Sequence, residues 1–114
     1  MPTIVYKIAR ESEWHAAEAT GSFEGSALDR RDGYIHLSTA SQVGETARRH
    51  FAGQTDLVLL AFDAADLGEA LRYEPSRGGD LFPHLYGPLP VAALRRLCPL
   101  PWDGTQHQFP TLDP

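Results

Sequence analysis

The chain contains one cysteine, one lysine and no long apolar run. Cys98 is the lone thiol, which excludes an internal disulfide and a multi-cysteine zinc site. Between Leu97 and Pro99 it reads as a small buried hydrophobe rather than a reactive group. No apolar stretch approaches the roughly 20 residues that span a bilayer, so no membrane association is expected. The N-terminus lacks a basic region followed by an apolar core and a small-residue cleavage site, which leaves the cytoplasm as the expected location. A surplus of basic charge is also missing. Fifteen acidic residues against ten basic ones give a net charge of -5, which opposes attraction to duplex nucleic acid. No glycine-rich turn joins a strand to a helix, as a Rossmann or P-loop site would need. No Gly-x-Ser-x-Gly elbow presents a serine. Two histidines could in principle bind a metal, but no His-x-x-x-His pair or local carboxylate cluster supports one, and no metal is expected.

At 114 residues and 12.6 kDa the sequence is sized for one domain, with a monomer as the default. Thr3 to Ala9 is rich in β-branched and aromatic residues and reads as a first strand. Period-2 alternation sends Ile4, Tyr6 and Ile8 one way and Val5, Lys7 and Ala9 the other. Ser12 to Thr20 reads as a helix stopped by Gly21. Ser22 to Asp32 reads as a connecting loop with a helical turn at Ala27 to Arg31.

Tyr34 to Ser38 is the clearest amphipathic strand, with Ile35 and Leu37 on one side and Tyr34, His36 and Ser38 on the other. Thr39 and Gln42 match a capping box that opens a helix whose inner stripe is Val43, Ala47 and Phe51. Leu57 to Phe62 does not alternate, which fits a central strand covered on both faces, though periodicity alone does not separate it from a buried helix. Leu71 to Glu74 reads as a short strand, Ser76 to Asp80 as a flexible loop, and Leu81 to Leu85 as extended chain. Val91 to Arg95 reads as a short helix and Arg95 to Leu100 as the last strand. Residues 101–114 read as a polar tail. The sum is a single α+β domain with two main helices and a mixed, mostly antiparallel sheet.

Some residues stand out chemically. His36 and Ser38 share a strand face, and Thr39 follows at a helix start, a combination suited to an anion or a polar ring. The same residues also fit an edge-strand histidine facing solvent and a cap that only caps. The segment DLFPHLYGPLP places His84 and Tyr86 two residues apart in an extended, proline-stiffened stretch. They read equally as cover for the core or as a site whose rigidity lowers the entropy cost of binding. Glu74 precedes Pro75 beside the Gly78-Gly79 loop. Lys7, the one lysine, lies within an apolar strand, where such a residue ordinarily snorkels. His15, His50 and His107 read as surface or packing histidines.

Taken together, IVYKI with Glu13-Trp14, DGYIHLSTASQ, HFAGQTDLVLLAFD and LRYEPSRGGDLFPHLYGPLP cover nearly the whole chain. In these segments the chain resembles the bacterial domain-of-unknown-function family 952. That family is in turn remotely similar to the ADP-ribosyltransferase superfamily, whose split sheet binds NAD between two half-sheets. YIHLS is similar to the His-x-His-Leu-Ser/Ala strand of RNA 2'-phosphotransferases, with Tyr34 at the place of the first histidine.

The resemblance implies an ADP-ribosyltransferase-like split sheet and NAD as substrate. It implies that Lys7 and His36 contact ribose or pyrophosphate, with Lys7 keeping the charge but not the ring of the family's histidine. Ser38 and Thr39 line the same site, Tyr86 stacks on nicotinamide, and Glu74 stabilises charge at the ribose. Arg77 lies on a loop that closes over the ligand, and His84 stands opposite the His36 strand across one cleft. Two alternatives remain: a non-catalytic module that binds a small molecule or nucleotide in the same cleft, and a metal-free hydrolase acting through His36.

Overall fold

The computed structural model describes residues 2–114. Strand β1 (Ile4–Arg10) pairs antiparallel along its length with β5 (Leu57–Asp63), and β5 pairs with β9 (Leu94–Pro99). With β4 (Ser38–Thr39) beside β1, these make a four-stranded sheet in the order β4-β1-β5-β9. Every residue of β5 is buried, which explains the absence of alternation in its sequence. Val58, Leu60 and Phe62 enter one apolar cluster with Val5 and Ala9, while Leu57, Leu59 and Ala61 enter another with Ile4, Tyr6 and Ile8. The alternation expected of β1 is thus the division between two cores.

The first core lies beneath helix α1 (Glu11–Thr20), which contributes Trp14 and Ala17. Gly21 ends this helix in the left-handed conformation, at φ 86°, and its N–H donates to the Ala17 carbonyl, a geometry a Cβ would strain. The second core lies beneath α3 (Val43–His50), from which Val43 and Ala47 are buried and Phe51 packs alongside, as the stripe predicts. The first core is closed by a three-stranded sheet in the order β3-β7-β6, made of β3 (Ile35–His36), β7 (Leu81–Leu85) and β6 (Leu71–Pro75). Its Ile35 and Leu85 point into that core, with Leu71 packed against it.

Several expectations need correction. Every strand pair is antiparallel, so the sheets are not mixed. The stretch 34–38 is two short strands: Leu37 turns into the core, and the chain leaves β7 to join β1. The expected loop 22–32 contains a strand, β2 (Ser22–Phe23), paired with β8 (Leu89–Pro90), while its expected helical turn is present as α2 (Ala27–Asp32). Gln42 does accept from the Thr39 N–H at 3.0 Å, but the helix begins only at Val43. The Thr39 hydroxyl bonds Ser41, so the box braces a turn rather than the helix end. Val91–Ala93 is a single 3-10 turn, and β9 starts at Leu94.

Residues 101–114 pack on the second core through Phe109 and Leu112. Tyr6 and Asp113 exchange two bonds of 2.8 Å, and His107 is buried with Nε2 at 2.9 Å from the Gln54 carbonyl. Polar composition and proline content hide this docking, because Phe109 and Leu112 carry its apolar part and the rest is hydrogen bonding. Among the described residues no helix is long and apolar enough to cross a membrane.

Candidate functional site

The site begins where the two sheets part. β4 stays with β1 for only two residue pairs, Val5 with Thr39 and Tyr6 with Ser38. Immediately before them in sequence, His36 pairs with His84 on β7. Beyond Tyr6 the outer edge of β1 therefore has no strand beside it, and a cavity of about 600 Å³ opens there. Its walls come from β1, the start of α1, α2, α3 and the three-stranded sheet.

Lys7 reaches into this split. It is buried, and its Nζ donates to Asp29 Oδ2 at 2.8 Å and to the His36 carbonyl at 3.1 Å. It does not snorkel. The ammonium joins β1 to α2 and β3, an ion pair linking one sheet to the other. Burial pushes Lys7 below its ordinary value, and the Asp29 carboxylate offsets only part of that.

Asp29 is the hub. Its Oδ2 also accepts from the Ser26 N–H at 2.9 Å, and its Oδ1 from the His36 N–H at 3.0 Å, with His36 Nδ1 at 2.6 Å. Burial raises the carboxyl, but the His36 bond, the Lys7 charge and bond and the Ser26 amide together hold it well below the usual carboxylate range. Gly25, at φ 104°, passes so close that a Cβ there would sit 2.8 Å from the Asp29 Cβ, so only glycine fits.

His36 is held at both ends of its ring. Nδ1 meets Asp29, and Nε2 lies 3.0 Å from Asp32 Oδ2. A carboxylate accepts and does not donate, so either ring nitrogen, when it carries hydrogen, has an acceptor in place. Asp32 lies on the exposed side of α2; its bond to Arg31 and the nearby His36 hold it below the ordinary carboxylate value, against a smaller effect of desolvation.

His84 is the cross-strand neighbour of His36, with ring centroids 5.9 Å apart. The two stand side by side on one sheet rather than on opposite walls, which corrects the expectation of an approach across the cleft. His84 Nδ1 is 2.9 Å from Glu74 Oε1, and the Tyr86 hydroxyl donates to the same oxygen at 2.7 Å. These two bonds lower the Glu74 carboxyl, and the carboxylate in turn raises the Tyr86 phenol. Tyr34 stacks on His84 at 4.0 Å and 28°, and its ring lies 5.3 Å from Tyr86. His84 Nε2 is buried without a hydrogen-bond partner among the described residues.

Of the residues singled out from sequence, Lys7, His36, Ser38, Arg77 and His84 line the cavity. Ser38 is engaged by Thr46 at 3.1 Å, and Arg77 by Glu45 at 3.1 Å, with its guanidinium over the Phe82 ring. Thr39, Glu74 and Tyr86 are not part of the lining. Glu74 and Tyr86 reach it only through His84. Tyr86 is exposed, and the Arg72 guanidinium lies 4.9 Å from its ring centre.

Asp29, Asp32 and Tyr34 were not legible as site residues. The available signals were Ser26 three residues before Asp29, which the structure realises as a reciprocal cap, and the Asp32-to-His36 spacing of four. His50, read as a surface or packing residue, also lines the cavity.

The family described as "Protein of unknown function (DUF952)" matches residues 8–97, and the chain belongs to it. The crystal structure of protein CC0527 from Caulobacter crescentus is similar, at 52% identity and a TM-score of 0.90, covering 93% of this chain and 94% of that one. The solution NMR structure of CC0527 gives 52% identity and a TM-score of 0.82, covering 91% and 90%. No curated protein matches the chain.

Proposed function

We propose that the cavity binds an anionic nucleotide, with NAD as the substrate of an ADP-ribosyltransferase-type reaction. The observation that carries this reading is the charge of the walls. In a chain of net charge -5, the lining gathers the cations Lys7, Arg10 and Arg77, with the ring donor of His36 among them, against only Glu13 and Asp29 among carboxylates. Such a wall favours a ligand bearing phosphates. The position of the cavity, at the parting of two antiparallel sheets, supports the same reading, since it is where the superfamily's NAD cleft would lie.

The geometry refines the expected roles. Lys7 is committed to Asp29 and acts through it, positioning His36 rather than touching the ligand. His36 Nε2 carries the donor that meets an oxyanion of the ligand, with Asp32 moving aside. Glu74 Oε1 is occupied by His84 and Tyr86, so this carboxylate acts on the site through His84 rather than facing the ribose directly. Arg77, held beside the cavity by Glu45, is the residue placed to close over a phosphate.

Calorimetric titration and thermal-shift measurements with NAD and ADP-ribose test the reading. Binding with stabilisation of the fold is expected; no heat and no stabilisation at millimolar ligand would sink it. One observation favours a second reading, a binding module without turnover: Lys7 is tied up and Glu74 lies outside the lining. Binding with no release of nicotinamide would select that reading. A hydrolase acting through His36 loses support, because both of that ring's nitrogens already face carboxylates.

A further inference from the structure

Two buried side-chain atoms have no hydrogen-bond partner among the described residues, Trp14 Nε1 and His84 Nε2. They differ in setting. Trp14 sits inside the first apolar core between Phe23 and Phe62, with ring centroids 6.1 and 6.3 Å away, and does not line the cavity between the sheets. Its orphan N–H belongs to packing. His84 is 3% exposed, yet its ring forms part of the cavity wall.

The state of His84 follows from its other nitrogen. Glu74 Oε1 lies 2.9 Å from Nδ1, and a carboxylate only accepts, so the neutral ring carries its hydrogen on Nδ1 and a bare lone pair on Nε2. A carboxylate that fixes the tautomer and orientation of an imidazole, leaving the far nitrogen basic, is the arrangement that activates a hydroxyl. Here the Tyr86 hydroxyl fixes the carboxylate in turn, at 2.7 Å. Tyr34, stacked on the ring face at 4.0 Å, holds the plane of the imidazole. Neither neighbour competes for the role, since His36 has both nitrogens against carboxylates and Glu74 Oε1 already accepts twice.

We propose that His84 is the general base of this site and that the group it activates is a hydroxyl, from water or an alcohol acceptor, reaching Nε2 from the cavity that His84 lines. The proposal rests on the NAD reading. In the step, the acceptor O–H proton passes to His84 Nε2 while the acceptor oxygen bonds to the ribose C1′. The C1′–N bond breaks, and its electron pair leaves with neutral nicotinamide. His84 then returns the proton to solvent. The products are ADP-ribose from water or the O-linked ADP-ribosyl glycoside from an alcohol, with nicotinamide and one proton.

The experiment measures ADP-ribose binding by calorimetry, and nicotinamide release and the methanol-to-water product ratio from NAD, in the unmodified chain, His84→Gln and His84→Ala. His84→Gln is expected to bind ADP-ribose within about threefold of the parent, while nicotinamide release falls by about 10²- to 10⁴-fold, the usual contribution of a positioned base. Added imidazole is expected to restore part of the rate in His84→Ala, which a purely packing role would not allow. Nicotinamide release at the parent rate in His84→Gln overturns the proposal, as does ADP-ribose binding with no NAD turnover in the parent, which leaves the binding reading standing. Failure of both NAD and ADP-ribose to bind overturns the two together. Should the variants not fold, nitrogen-15 spectra of the unmodified protein decide: hydrogen on His84 Nδ1 with Nε2 bare is expected, and the opposite tautomer overturns the assignment.

Discussion

The two larger sheets are built to different rules. The four-stranded sheet is buried along β1 and β5 on both faces, and its side chains divide between two apolar cores. The three-stranded sheet has one apolar face, with Ile35 and Leu85, and one that carries His36, His84, Arg72 and Glu74. The first sheet spends its residues on burial, which is the largest favourable contribution to folding. The second holds titratable groups in fixed pairs, each histidine beside a carboxylate. Most apolar burial and most of the paired titratable groups therefore lie in different sheets, and the Lys7–Asp29–His36 chain is the main polar link between them.

The largest effect is expected where that link is cut. Asp29→Asn removes the charge that pairs Lys7 and leaves one accepting oxygen where two serve Lys7, Ser26 and His36. Leaving a buried ammonium unpaired typically costs about 3–5 kcal/mol, which urea denaturation would measure. In a double-mutant cycle, adding Lys7→Met should recover much of that loss; simple additivity would show that the pair is not coupled. Leu60→Ala attacks the four-stranded sheet instead. Leu60 is fully buried, so a loss of about 2–5 kcal/mol is expected. Where the variant remains folded, its ADP-ribose affinity should be unchanged. A parallel fall in affinity would break the separation between the sheets.

This division also explains what the sequence made legible. β5 was readable because seven consecutive buried residues leave no alternation, and the α3 stripe because its helical period is regular. The placement of His36 beside His84 was partly readable: their closeness could be anticipated, but not that they share a sheet. Two-residue strands such as β3 and β4 carry too little pattern to reveal that the chain changes sheets at Leu37. Asp29 was invisible for a related reason. A carboxylate in a short polar helix looks solvated, and only the tertiary approach of Lys7 makes it a buried hub. The docked segment 101–114 was missed because its polar composition outweighs Phe109 and Leu112 in any local reading.

Acid should act on the link before it acts on the apolar cores. The Asp29 carboxyl in the folded chain lies below its ordinary value of 3.8, so its contribution to stability is fully present above that value and is lost as pH falls through and below it. Asp32 and Glu74 are shifted in the same direction, with smaller effects because both are open to solvent. Stability measured against pH should fall below about pH 4, and Asp29→Asn should flatten that fall. An unchanged slope in the variant would place the acid-sensitive group elsewhere.

The smallest expected change in stability is the most informative about the site. Asp32 lies on the exposed side of α2 and contacts His36 Nε2 at 3.0 Å, at the atom through which an oxyanion of the ligand would be held. Surface pairs of this kind contribute little to folding, so Asp32→Asn should leave the urea midpoint almost unmoved. The same substitution removes a negative charge that an incoming phosphate must displace. ADP-ribose affinity should therefore rise severalfold, most clearly at low ionic strength, where charges are least screened. His36→Gln in the same background should abolish the gain, because glutamine does not reproduce the ring donor that Asp29 orients at that place. If Asp32→Asn weakened binding instead, Asp32 would be an element that orients His36 for the ligand rather than one that gives way to it, and both carboxylates of α2 would belong to the fixed part of the site.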